Sequence, residues 1–142
     1  MLKRLGGLVG LVPDDDPKKM LEKMTIADVI DAHMKWKISL QEYLDGQAPL
    51  VLDPVQARRE ELSVAGQWIR LHADGDIGGY GAFFTVRAKH AQCHMLAGEL
   101  MEKLLANDQA GARELLNSRL LKISHEMVYA LVELDRQVMA AG

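Results

Sequence analysis

The chain has 142 residues, room for one ordinary domain, and its 49% hydrophobic and 26% charged residues exclude a disordered chain. With 17 Lys and Arg against 20 Asp and Glu, the formal net charge of -3 makes no electrostatic case for nucleic acid. The single cysteine, Cys93, excludes an internal disulfide framework and a multi-cysteine metal cluster, and few aromatic and β-branched residues predict a helical protein.

Residues 1–16 read as an N-terminal arm. Its longest apolar run, Leu5 to Val12, is far short of the ~20 residues a membrane-spanning helix needs. Lys3 and Arg4 precede that run, but Pro13 and three aspartates follow with no small-residue cleavage pattern, so it does not read as an export signal. One cysteine and no such signal point to the cytoplasm. Residues 17–142 then read as a single helical-bundle domain.

Asp16-Pro17 is a helix start, an N-cap followed by proline in the first turn. Thr25 with Asp28 three residues on is a second start. From there Ile26, Val29, His33, Trp36, Leu40 and Tyr43 recur at spacings of three and four, one stripe of a long helix that Asp45-Gly46 ends. Gln47 to Leu52 is a connector, and Asp53-Pro54 opens a second helix to about Leu71, interrupted at Gly66. Ala73 to Gly79, with three glycines and two aspartates, is a loop. A third helix from Tyr80–Phe83 to about Ala106 carries Phe83, Val86, His90, His94, Ala97, Met101 and Leu104 in its stripe. A fourth, from about Gln109 to Ala140, aligns Leu116, Leu120, Ile123, Met127, Ala130, Leu134 and Val138. The expected fold is all-α, an antiparallel four-helix bundle with a short N-terminal extension.

Three of the five histidines fall inside apolar stripes: His33, His90 and His94. His90 and His94 are four apart and project side by side from one helix face. A buried imidazole costs free energy unless it is hydrogen-bonded or coordinated, and neutral imidazoles at this spacing can share one metal ion. A lone core histidine is more often bonded to a carbonyl, but a pair plus a third on another core face brings a shared ion level with that reading. His72 and His125 read as solvated surface groups.

The segments around these histidines are Ile30-Asp31-Ala32-His33-Met34-Lys35-Trp36, Ser63-Val64-Ala65-Gly66-Gln67-Trp68 and His90-Ala91-Gln92-Cys93-His94. Their order and separation resemble the chemoreceptor zinc-binding (CZB) domain family, whose pattern is a HxxW helix, a CxxGxW segment and a closing HxxxH. The resemblance spans roughly residues 26–134. It implies that His33, His90 and His94 are zinc ligands and that Trp36, Gly66 and Trp68 are the structural signature. Ser63 falls where the family has its cysteine ligand. A serine hydroxyl is neutral and hard, a poor substitute for a thiolate, so the redox chemistry attributed to that cysteine cannot run from position 63. Water is the favoured fourth ligand. Cys93, turned roughly 100° from His94 on ordinary helix geometry, reads as a small buried hydrophobe.

The resemblance implies a non-enzymatic sensory or regulatory zinc module in bacterial signalling of the chemotaxis or cyclic-di-GMP type, stand-alone or acting on a protein partner. It also implies a homodimer, while the charge balance and the short apolar runs argue against a nucleic-acid or membrane partner. Two other readings stand beside it: a metal-free helical interaction module whose histidines are held by hydrogen bonds, and a three-histidine zinc enzyme. No general base or oxyanion group near the ligands favours the enzyme.

Overall fold

The computed structural model describes residues 16–47 and 53–142. The expected arm, except for Asp16, and most of the connector before Asp53 lie outside the described residues. The described chain is helical throughout, with no strand among those residues.

Helix α1 (Pro17–Lys23) starts where Asp16 accepts the Lys18 N–H at 3.0 Å, with proline in its first turn. Helix α2 (Ile26–Leu44) begins with reciprocal bonds. The Asp28 N–H donates to the Thr25 hydroxyl at 3.1 Å, and the Thr25 N–H to the Asp28 carboxylate at 2.9 Å. It ends at Gly46, whose φ of +74° is a left-handed conformation that glycine adopts without strain.

The second helix expected from Asp53 to about Leu71, interrupted at Gly66, is in fact three pieces. These are α3 (Pro54–Arg58), a 3₁₀ turn (Glu60–Leu62) and α4 (Val64–His72). The breaks are at Arg59 and Ser63, both in extended backbone, and Ser63 starts α4 anew by accepting the Gly66 N–H at 3.0 Å. Gly66 is therefore not the interruption. It lies inside α4, where a Cβ would collide with the Glu60 carbonyl and come within 3.0 Å of Cε1 of His90. The missing side chain lets the 3₁₀ turn fold back against α4 and brings both to the His90 ring.

Helix α5 (Gly81–Leu105) stops at Asn107, which takes φ +61°. Helix α6 runs as α-helix over Gln109–Leu115, widens through a π turn at Leu116–Leu120, and continues over Leu121–Ala141. Beyond the π turn its inward line is Leu120, Ser124, Met127, Leu131 and Leu134. Ile123 and Val138, placed in the stripe by the sequence reading, are only half-buried.

Two apolar clusters form the interior. The first gathers Ile26 and Val29 from α2, Trp68 and Ile69 from α4, Phe83 and Val86 from α5, and Met127 to Leu134 from α6. The second gathers Leu40 and Leu44, Ala57 from α3, Cys93 to Met101, and Ala112 to Leu120. Along α2 and α5 the chain passes from the first cluster to the second, and along α3–α4 and α6 it returns. At each crossing of α2, α5 and α6 a buried polar residue sits between the clusters: His33, then His90 and His94, then Ser124. No helix among the described residues is long and apolar enough to cross a membrane.

Candidate metal centre

The three stripe histidines are 2% (His33), 1% (His90) and 3% (His94) exposed. Their rings form a connected set with Trp36. Ring centroids are 5.6 Å apart for His33 and Trp36, 4.6 Å for Trp36 and His94, and 4.5 Å for His90 and His94. Trp36 is thus a wall of the polar layer, stacked on His33 and tilted against His94. Trp68 is buried one layer away in the first cluster, against Phe83 at 6.4 Å and His72 at 4.7 Å, with its Nε1 unpartnered.

Burial, followed by the neighbouring imidazole of His94, pushes the pKa of His33 down to about 4 and that of His90 to about 3. Burial also lowers that of His94, opposed by its bond to the Ala57 carbonyl. At neutral pH all three rings are therefore neutral and carry a lone pair, the protonation state a metal requires.

Each ring is tied to the protein through one nitrogen. Nδ1 of His94 lies 3.0 Å from the Ala57 carbonyl, which can only accept, so Nδ1 carries the hydrogen and Nε2 the lone pair. Nε2 of His33 lies 2.8 Å from the Ser124 hydroxyl, which is itself wholly buried. Nε2 of His90 lies 3.2 Å from the Ser63 hydroxyl. That hydroxyl already donates to the Glu60 carbonyl at 2.9 Å, so it accepts from His90 and leaves the lone pair on Nδ1. Nδ1 of His90 is buried and has no hydrogen-bond partner, and the nearest Glu60 carboxylate oxygen is 3.5 Å away. Burial and the adjacent Glu61 raise the Glu60 carboxyl above its ordinary range.

Ser63 therefore does three things: it caps α4, closes the 3₁₀ turn and orients His90. Cys93 is buried in the second cluster, and burial lifts its thiol to about 12, which leaves it unreactive as a nucleophile at neutral pH. His125 is exposed, as read from the sequence. His72 is not a freely solvated group: it is half-buried on Trp68, and that burial lowers its pKa. Ser124 was missed by the sequence reading. The available signal is its position four residues after Leu120 and three before Met127, a polar residue at core spacing.

Among the described residues, no three His, Cys, Asp or Glu side chains surround a common point where a metal could sit as the rings stand. The chemistry of the donor set nevertheless suits zinc. It offers three neutral imidazoles, each with one nitrogen anchored and the other without a hydrogen-bond partner among the described residues. Coordination would require the rings to shift toward one another. No family model matches the chain, and no curated protein or solved structure matches it.

Proposed function

We propose that the protein is a zinc-binding regulatory module of the CZB type, with His33, His90 and His94 as its protein imidazole ligands. The observation that carries this reading is the burial of three neutral imidazoles from α2 and α5 in one layer between two apolar clusters. Each imidazole in such a layer costs stability unless it is hydrogen-bonded or coordinated. When bound, zinc would supply a cross-link between α2 and α5 that disappears when the metal leaves. The chain's own residues prepare for it. The Ala57 carbonyl fixes the His94 tautomer, Ser63 fixes His90, Ser124 holds His33, and Trp36 closes the side of the layer. The same reading takes α2, α3 with α4, α5 and α6 as the legs of an antiparallel four-helix bundle. It places the protein in the cytoplasm as a homodimer that passes metal occupancy to a signalling partner, without catalysing a reaction.

A second reading, a metal-free helical interaction module, is favoured by the hydrogen bond that each imidazole already makes. Elemental analysis of protein purified without chelators separates the two. The zinc reading expects about one zinc per chain, lost in His90→Ala, and a thermal midpoint that falls when the metal is stripped. Zinc-free protein whose midpoint does not respond to added zinc would leave the metal-free module standing.

A further inference from the structure

We propose that Arg58 is a positioning residue for His94: lying across Gly98 of α5, it holds α3 where the Ala57 carbonyl fixes the tautomer of that buried ring. The proposal concerns the metal-free protein and goes beyond the zinc reading, since it holds whether or not zinc binds. His94, Gly98 and Glu102 follow one another at intervals of four on α5, so they form one row along the helix face. Two adjacent residues of α3 meet that row. The Ala57 carbonyl accepts from Nδ1 of His94 at 3.0 Å. The Arg58 side chain runs over Gly98 so closely that a Cβ there would collide with its Cγ and lie 2.7 Å from Cζ and 2.8 Å from Nε. The guanidinium then reaches the third member of the row, with Nη2 3.0 Å from the Glu102 carboxylate, while Nη1 donates back to the Pro54 carbonyl at 3.3 Å.

Helix α3 is too short to keep its place unaided. It has five residues, with extended backbone at Asp53 before it and at Arg59 after it. A helix of that length is not stable in water without tertiary contacts. The bonds between Asp53 and Gln56 lie within the segment, so they shape the helix and do not dock it. Ala57 is its one buried residue, and a single methyl group buries little apolar surface. Arg58 offers more: a methylene stem laid along α5 with the charged head left toward solvent, the side chain being 31% exposed. The pair with Glu102, itself 55% exposed, is screened by water and adds little on its own. The stem over Gly98 is therefore the main tie, and the absent side chain of Gly98 is what admits it. A line of contacts thus runs from a half-buried arginine at the surface to an imidazole that is 3% exposed. Moving Arg58 changes which nitrogen of His94 carries the hydrogen, without any group entering the layer.

The experiment reads the ring nitrogens of His33, His90 and His94 by long-range proton–nitrogen correlation spectra of the full chain, stripped of metal, at neutral pH. The parent is compared with Arg58→Ala, Arg58→Lys and Gly98→Ala. In the parent, His94 should be the Nδ1–H tautomer. In Arg58→Ala the ratio of Nδ1–H to Nε2–H should fall by about tenfold, as expected for the loss of one buried hydrogen bond. Gly98→Ala pushes the stem away while favouring the α5 helix itself, and should shift the ratio in the same direction. Arg58→Lys keeps a stem and a charge and should retain the parent's signature. The His33 and His90 rings, held by Ser124 and Ser63, should stay as they are in every variant. A folded Arg58→Ala whose His94 keeps the parent's signature would overturn the proposal, and Gly98→Ala decides in the same way if Arg58→Ala does not fold. Changes at His33 and His90 as large as that at His94 would overturn it too, because the layer would then be loosened as a whole.

Discussion

The two apolar clusters and the layer between them are buried to the same degree and held by different physics. Phe83, Val86 and Leu131 in the first cluster and Leu100 and Leu120 in the second are closed to solvent, and close packing alone accounts for their stability. The intervening layer of His33, His90, His94 and Ser124 is also closed to solvent, but each polar group must find a partner or carry an uncompensated cost. It finds most of them: a serine for His33, a serine for His90, a carbonyl for His94. Among the ring nitrogens fully closed to solvent, the exception is Nδ1 of His90. The comparison teaches that the apolar clusters need only close packing, while the layer between them must also satisfy each polar group it buries.

The largest effect of a single substitution that would break this contrast is a cavity in an apolar cluster. Phe83→Ala should destabilise the protein by roughly 3–5 kcal/mol, read from the denaturant midpoint, and should leave zinc affinity in the still-folded protein nearly unchanged. A comparable loss of zinc affinity would mean that the clusters and the layer are not separable.

Acid comes next. His33 and His90 have folded-state pKa values near 4 and 3, below the 6.5 of an ordinary imidazole. Above about pH 6.5 neither state binds the proton and the two histidines impose no penalty. As pH falls below that value the unfolded chain takes up protons that the folded chain refuses, so stability declines. The expected slope is about 1.4 kcal/mol per pH unit for each imidazole, continuing until the folded-state values are reached. Chemical denaturation of metal-free protein at pH 7, 6, 5 and 4 checks this. A flat profile across that range would show that the rings are hydrated in solution.

The smallest effect sharpens the contrast inside the layer. Ser124→Ala leaves a ring nitrogen of His33 without its partner and should cost about 1–3 kcal/mol in the metal-free protein. Adding His33→Leu removes the orphan, and the double variant should recover most of that loss while losing zinc affinity. Destabilisation that simply adds in the double variant would mean that the 2.8 Å bond between the two residues contributes little.

The helices were legible because capping is local chemistry. Asp16, Thr25 with Asp28 and Asp53 each start the helix that the sequence assigned to them, since a side-chain oxygen reaching a backbone N–H two or three residues on needs no tertiary help. The burial of His33, His90 and His94 was legible for a similar reason: helical periodicity fixes which residues share a face. What periodicity lacks is the neighbour. The break at Ser63, a capping residue inside an otherwise helical stretch, depended on the 3₁₀ turn finding space against Gly66. Ser124 became part of the layer only because the π turn in α6 and the packing of that helix set which of its residues point inward. The face-off between Glu60 and Nδ1 of His90 joins residues thirty positions apart on different elements, and no spacing rule reaches that far. The sequence by itself determined where the helices start, most of their apolar faces and which histidines go inside. The tertiary structure alone decided what each imidazole touches, because a hydrogen bond or a ligand pair is fixed to tenths of an ångström, while a helical stripe is fixed only to a face.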